Sequence, residues 1–399
     1  MAFSQEHTIF KLMPLVYKLN HKPEQFMADK FCELDLVSQS EFLQALARVE
    51  SWRSTNGCRK LKGGAEMKAI KKAIGNLGFA VLAMAVLMTS SCGRHSTSEV
   101  YYLIASDQGL PYWQTAAAGF NKAAAIYKVT ARVDGPSGHD PAAELAALQQ
   151  AIAAKPSGIL ISVSDIALLQ PGIDAAIGKG IPVITMDSDA PGSRRLYFIG
   201  TNNREAGRLG AQRVIQKLGG KGNVVFFTLA GQGNMAERLE GFKEVFATRP
   251  EIHIVDVVDI KGEANKAFDW TQEALVLTGD KKVDGFVSLE SASSKAVADA
   301  LKRANATDRL VVAWDANPET LDGIKAGTID STVVQKPFTM AFVGLKALDE
   351  LFHAPPKQLS KDASADSFAQ NPVFVDTGTS LVDKSNVDQY IDAAAEGAK

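Results

Sequence analysis

The sequence predicts an α/β chain folded as two doubly wound parallel-sheet lobes. Three observations predict it. After about residue 96, short apolar runs alternate with stretches of helical period. Several of those runs are apolar almost throughout, as strands buried on both faces must be. About ten strands in some 300 residues exceed what one sheet holds comfortably, so the chain divides into two lobes.

Val100–Ala105 reads as a strand and Ala116–Tyr127 as a helix. Gly158–Val163 is a strand, Ile166–Gly178 a helix and Ile181–Met186 a strand again. Helices at Glu205–Leu218, Ala236–Ala247, Ala264–Thr278 and Ser294–Ala304 then alternate with strands at Val224–Leu229, Ile252–Val258, Val283–Leu289 and Leu310–Trp314. Regular βαβα alternation implies parallel sheets with helices on both faces. Ala354–Gln370 is polar and turn-rich and reads as a surface loop, with a last strand at 373–376 and a closing helix at Asn386–Ala395 after it.

Composition narrows the class further. Of 399 residues, 46% are hydrophobic and 22% charged, which is ordinary globular usage and excludes a disordered or collagen-like chain. The net charge of −2 gives no global attraction to nucleic acid. Cys32, Cys58 and Cys92 are too few for a disulfide framework or a four-ligand zinc site.

The front of the chain has a different character. Residues 1–92 carry a net +4 and the remainder a net −6. Met67, Lys68, Lys71 and Lys72 open a basic stretch, Leu77–Met88 is apolar, and Thr89-Ser90-Ser91 leads to Cys92. Basic, apolar, then small is the layout of an export signal. Small residues before a cysteine resemble a bacterial lipobox, although Thr89 stands where leucine is usual. Cys92 is thus the expected lipidation site. A plain cleaved signal and an uncleaved anchor are the alternatives, and all three export the remainder of the chain. Residues 1–66 then precede the signal as an extension and read as a mis-called start; Lys62-Gly63-Gly64 before Met67 fits a purine-rich ribosome-binding stretch. Residues 93–98 form a short tether.

Catalytic motifs are missing from the sequence. There is no GxGxxG after a strand, no GxxxxGK[ST], no HExxH, no CxxC and no GxSxG. His95, His139, His253 and His353 are far apart in sequence, and each reads as a surface or solvated residue. No cofactor and no metal site is expected.

Ligands in open α/β sheets bind at the carboxyl ends of the strands, and those positions hold a distinctive set. Ser106 through Trp113 contains a serine, then Pro-Tyr-Trp; Ile181–Asp187 reads IPVITMD; Arg238 opens R-x-x-G-F; Asp315 ends a strand; Gln335 ends Thr-Val-Val-Gln. This ordered set resembles the ribose-binding-protein family, the periplasmic sugar-binding proteins of type I fold, over about Glu99 to Tyr390. The resemblance implies that Ser106, Tyr112, Trp113, Ser162, Asp187, Arg238, Glu290, Asp315 and Gln335 bind ligand. Aromatic faces suit the C–H face of a sugar ring, carboxylates accept from hydroxyls, and the arginine fork donates to several oxygens. Leu110, Ser162 and Glu290 stand where ribose binders have asparagine, Ser188 where they have arginine, and Ala264 near a third stacking aromatic, with Phe268 and Trp270 close by. A monosaccharide other than ribose, a polyol or an amino-bearing ligand is therefore implied.

The resemblance also implies three interlobe crossings, near Thr201–Asn203, Gln335–Pro337 and Gln370–Asp376. Lobe one is then 99–202 plus 336–370, and lobe two 203–335 plus 371–399. The implied role is the substrate-binding component of an ABC importer, monomeric, in the periplasm or cell envelope, without catalysis, with the permease subunits as partners and the membrane reached through a lipid on Cys92. A sensor presenting ligand to a chemoreceptor or kinase is the alternative. A lactose-repressor-type regulator shares the fold, but residues 1–66 carry 9 Lys/Arg against 8 Asp/Glu, too balanced for a DNA-binding head, and no nucleic-acid partner is expected.

Overall fold

A computed structural model describes residues 95–356, 369 and 371–397. The extension, the signal-like segment, Cys92 and most of the 354–370 loop lie outside the described residues. From His95 onward the chain forms one compact unit with two six-stranded sheets.

The first lobe starts with β1 (Val100–Ile104), α1 (Pro111–Tyr127), β2 (Thr130–Asp134), α2 (Pro141–Ala153), β3 (Gly158–Ile161), α3 (Ile166–Gly178), β4 (Val183–Met186) and β5 (Phe198–Gly200). The second holds α4 (Asn203–Leu218), β6 (Gly222–Thr228), α5 (Gly233–Phe246), β7 (Ile252–Asp259), α6 (Ala264–Ala274), β8 (Gly285–Ser288), α7 (Ser293–Arg303), β9 (Leu310–Trp314), α8 (Pro318–Ala326) and β10 (Ser331–Val334). The chain then returns through α9 (Pro337–His353) and β11 (Phe374–Asp376) to the first lobe, and ends in the second with β12 (Ser380–Asp383) and α10 (Val387–Gly397). Sheet orders are β11-β5-β4-β3-β1-β2 and β12-β10-β9-β8-β6-β7. All pairings are parallel except β12 against β10.

Three crossings join the lobes, at 201–202, 335–336 and 377–379. The third falls later than expected. Residues 374–376 pair with β5 and belong to the first sheet, so they do not open the second lobe as the sequence suggests. The crossings brace one another: the Thr377 amide donates to the Gly200 carbonyl at 2.8 Å, and the Thr379 hydroxyl donates to the Val334 carbonyl at 2.8 Å.

Alternation along a strand builds two cores on the second sheet. Val225, Phe227, Phe286 and Val311 face one side, while Val224, Phe226, Val287 and Val312 face the other. On this second face the rings of Phe226 and Phe242 meet edge-on at 4.9 Å. Burying each such large apolar side chain contributes about 1.5–3 kcal/mol.

Several elements were not legible as such. The first helix starts at Pro111, not Ala116, because proline fits the first helical turn, where its missing N–H costs no bond. Helix α2 carries its own signal: Asp140 caps it by accepting from the Ala142 and Ala143 amides, both at 3.0 Å, with Pro141 next. Strand β2 is a half-buried edge strand without the continuous apolar run that marks β3 and β4.

One buried acid stands out in the first lobe. Glu144, fully buried in the first turn of α2, accepts from the Ser164 amide at 3.3 Å and from the Ser164 hydroxyl. Its other oxygen has no protein partner. Burial pushes the carboxyl from its ordinary 4.5 up to about 8. The stabilisation gained by keeping that proton is complete below about 4.5 and is lost as pH rises through 8. Glu144→Gln should therefore flatten the fall in Tm between about pH 5 and about pH 8. Thermal melts across that range check it, and a variant slope equal to the parent's would refute it.

Candidate functional site

Each sheet presents its carboxyl-terminal edge to the other lobe, and the polar residues sit just beyond those strand ends. Ser106 follows β1, Ser162 follows β3 and Asp187 follows β4. Across the gap, Glu290 follows β8, Asp315 follows β9 and Gln335 follows β10. Tyr112 and Trp113 come from the first turn of α1, and Arg238 from α5. Eight of the nine expected residues line one cavity: Ser106, Tyr112, Trp113, Asp187, Arg238, Glu290, Asp315 and Gln335. Ser162 is the ninth; it stands behind the wall and donates to Asp187 Oδ2 at 3.3 Å.

Asp187 and Asp315 share an unusual backbone. Their φ values are +62° and +65°, in the left-handed region that aspartate tolerates better than most residues. The amide of Asp187 donates to the Ile199 carbonyl at 3.2 Å, and that of Asp315 to the Val333 carbonyl at 2.9 Å. Each aspartate thus closes its strand with a ladder bond while its carboxylate faces the cavity. Such strain persists where the surroundings over-determine it, and it clusters at functional sites.

Arg238 organises the charges. It is 1% exposed. Its Nε donates to Asn203 Oδ1 at 2.9 Å and its Nη1 to the Leu289 carbonyl at 2.7 Å. The guanidinium lies 4.7 Å from the centre of the Trp314 ring, a cation–π contact. Its Nη2 has no protein partner. The arginine reaches the cleft because α4 and α5 touch backbone to backbone. A Cβ on Gly207 would stand 2.1 Å from the Arg238 carbonyl oxygen, and one on Gly241 2.1 Å from that of Arg204. Only glycine fits at either position.

The acceptors are tied from both lobes. Asp187 accepts from the Tyr112 hydroxyl at 2.9 Å and, across the gap, from Asn234 Nδ2 at 3.4 Å. Asp315 accepts from Gln335 Nε2 at 2.9 Å, while Gln335 Oε1 has no protein partner. Burial raises both aspartates, Asp315 to about 7, with Arg238 pulling each back down. Burial, then the nearby Asp187 and Asp315, push the Tyr112 hydroxyl well above its usual range. Glu290 lines the cavity, but its carboxylate is engaged elsewhere. It accepts from the Ala292 and Ser293 amides and the Ser293 hydroxyl, capping α7. Burial raises it as well.

The cavity encloses about 60 Å³, room for roughly four to six waters. That is about as many oxygen atoms as one monosaccharide carries. Tyr112 and Trp113 meet edge-on at 5.2 Å and supply the apolar part of the wall.

A family model described as "Periplasmic binding protein domain" matches residues 101–354, more than half of the chain. The chain belongs to the periplasmic binding protein family. It is a binding protein, not an enzyme, and its lobes are those of the type I fold. The ribose import binding protein of Haemophilus influenzae is 25% identical over 224 residues, 54% of this chain and 73% of that protein. Two solved structures align at 32% identity across 73% of this chain. They are an arabinose-binding protein from Geobacillus stearothermophilus (99% of its length, TM-score 0.62) and the sugar-binding protein of a sugar ABC transporter from Bacillus halodurans (100%, TM-score 0.65). Family and relatives together place this periplasmic binding protein outside the cytoplasm.

Several residues of the site were missed from the sequence. Gln232 stands just before α5 and Asn234 in its first turn, one turn before Arg238, and Asn234 could have been found as the residue facing the same way on the helix. Trp314 sits inside the strand ahead of Asp315, where nothing in sequence separates a core tryptophan from a platform for arginine. Phe268 and Trp270 do not supply the third aromatic: Phe268 lies under Arg303 at 4.9 Å, and Trp270 packs on Phe227.

Removing Arg238 strips a cation from buried acceptors, so Arg238→Met should cost about 3–5 kcal/mol of stability. Urea unfolding measures it, and a loss below about 1 kcal/mol would show that the guanidinium is not the charge centre of the site.

Proposed function

We propose that this periplasmic binding protein is the substrate-binding component of an importer and carries a single monosaccharide or related polyol between its lobes. One observation carries the reading: a small interlobe cavity whose wall combines two strand-end aspartates, an arginine Nη2 and a glutamine Oε1 without protein partners, and two aromatic rings. That set offers acceptors for hydroxyl hydrogens, a donor for hydroxyl or ring oxygens and an apolar surface for C–H groups. A guest hydroxyl left unpaired there costs about 1–3 kcal/mol, which is how near-miss sugars are rejected. The ribose, xylitol, arabinose and allose binders among the relatives support a monosaccharide or polyol guest. Delivery to an ABC permease is favoured by the Bacillus halodurans relative, named as part of a sugar ABC transporter. Lipid attachment at Cys92 belongs to the same reading.

Hinge closure is the accompanying motion. Its fit is tight at the rim, where Gly262 (φ +79°) faces His139 of the other lobe and a Cβ would stand 2.5 Å from the histidine Cβ.

A thermal-shift screen of the chain against pentoses, hexoses and polyols tests the proposal. Guest at a hundredfold excess over its Kd should add roughly 2.7 kcal/mol. The hit should weaken at least tenfold in Gln335→Leu and in Gly262→Ala. No hit in the screen, or one indifferent to both changes, would end the assignment.

Proton release gives a second check. Without guest contacts the stability that Asp315 gains from its proton is complete below about 3.8 and lost as pH rises through 7. Guest hydroxyls donating to its carboxylate favour the ionised form. Uptake near neutral pH should therefore expel protons, and affinity should fall on acidification. Calorimetry in two buffers of different ionisation heat reads the proton count; inward transfer would contradict the hydroxyl-to-Asp315 contact.

A further inference from the structure

At the end of the first lobe remote from the cleft, the fold brings together two pairs of side chains that the sequence holds far apart. His95 and Glu99 precede β1, and Asp349 and His353 lie one turn apart in the last turns of α9. His95 Nδ1 is 3.2 Å from Asp349 Oδ1. His353 Nε2 is 3.0 Å from Glu99 Oε2 and 3.6 Å from Asp349 Oδ1. One donor atom from each of the four falls within 4.8 Å of all the others. Four ligands at about 2.0–2.2 Å from a tetrahedral ion stand roughly 3.3–3.6 Å apart, so the observed spacing needs only small side-chain adjustments to close on one.

We propose that His95, Glu99, Asp349 and His353 form a zinc-type cation site that fastens the incoming N-terminal segment to the end of α9. Three features support it. The two carboxylates are largely buried, at 11% and 3% exposure, and a divalent ion balances both at once with neutral imidazoles. The Tyr101 hydroxyl donates to Asp349 Oδ1 at 3.3 Å, an outer hydrogen bond of the kind that orients ligating carboxylates. The imidazoles keep 24% and 18% exposure, leaving a path for an ion, while Tyr127 and Phe352 pack edge-on against them. Two nitrogens and two oxygens suit zinc, whereas calcium and magnesium take six or more oxygen ligands. The site is independent of the cleft and of any guest.

Zinc chloride titrated into the full chain, stripped of metal by chelator and followed by calorimetry, tests the inference. One saturable equivalent is expected, with a Tm increase that chelator reverses and with no competition from calcium. His95→Gln and His353→Gln should each weaken it at least tenfold, and Tyr101→Phe about tenfold through the outer bond. Asp315→Asn in the cleft should leave it unchanged. Melts without zinc show whether each variant folds. Absence of saturable binding, or equal affinity in the His95→Gln/His353→Gln double variant, would overturn the site whatever the sugar screen gives.

Discussion

The cleft depends on one guanidinium held away from water among buried acids. Arg238 is fixed from three directions: Asn203 holds Nε, the Leu289 carbonyl holds Nη1, and the Trp314 ring lies beneath the plane. An isolated charge there would be prohibitively costly. Three carboxylates close by make it tolerable, and the arginine in turn restrains the rise in their proton affinity. The site is an electrostatic mutual dependence, in which no member can be replaced without stranding another.

The two lobes solve the same problem twice. In sheet order β4 and β9 hold corresponding places, and each ends in an aspartate with a left-handed backbone. The neighbouring strands β3 and β8 likewise end near Ser162 and Glu290. These last two diverge in role: one hydroxyl buttresses Asp187, while the other carboxylate caps a helix. A shared frame thus carries different polar furniture, and on the proposed function guest identity is written at strand ends rather than in the strands.

Much of this was legible in the sequence. Gly158–Val163 and Leu310–Trp314 read as buried strands because both faces are covered, so no charged residue interrupts them. The strand-end aspartates stood out at the carboxyl ends of strands, and they and Arg238 through the resemblance of IPVITMD and R-x-x-G-F to the family's motifs. The rest was hidden by distance in space. Strand β11 joins the first sheet although the chain directly after it belongs to the second. The capping of α7 by Glu290 is a matter of loop geometry, and so was invisible among the expected ligands. His95 and His353 read as solitary because their meeting depends on where α9 lies against β1.

Asn203 opens α4 directly after the first segment that joins the two lobes, and it grips the arginine that lines the cavity. Under the proposed hinge closure, bending at 201–202 acts as a lever arm on the guanidinium. The mechanics of opening and the strength of the grip are coupled at a single amide. Sequence drift beside the pivot, far from any contact with cargo, would retune how firmly cargo is held.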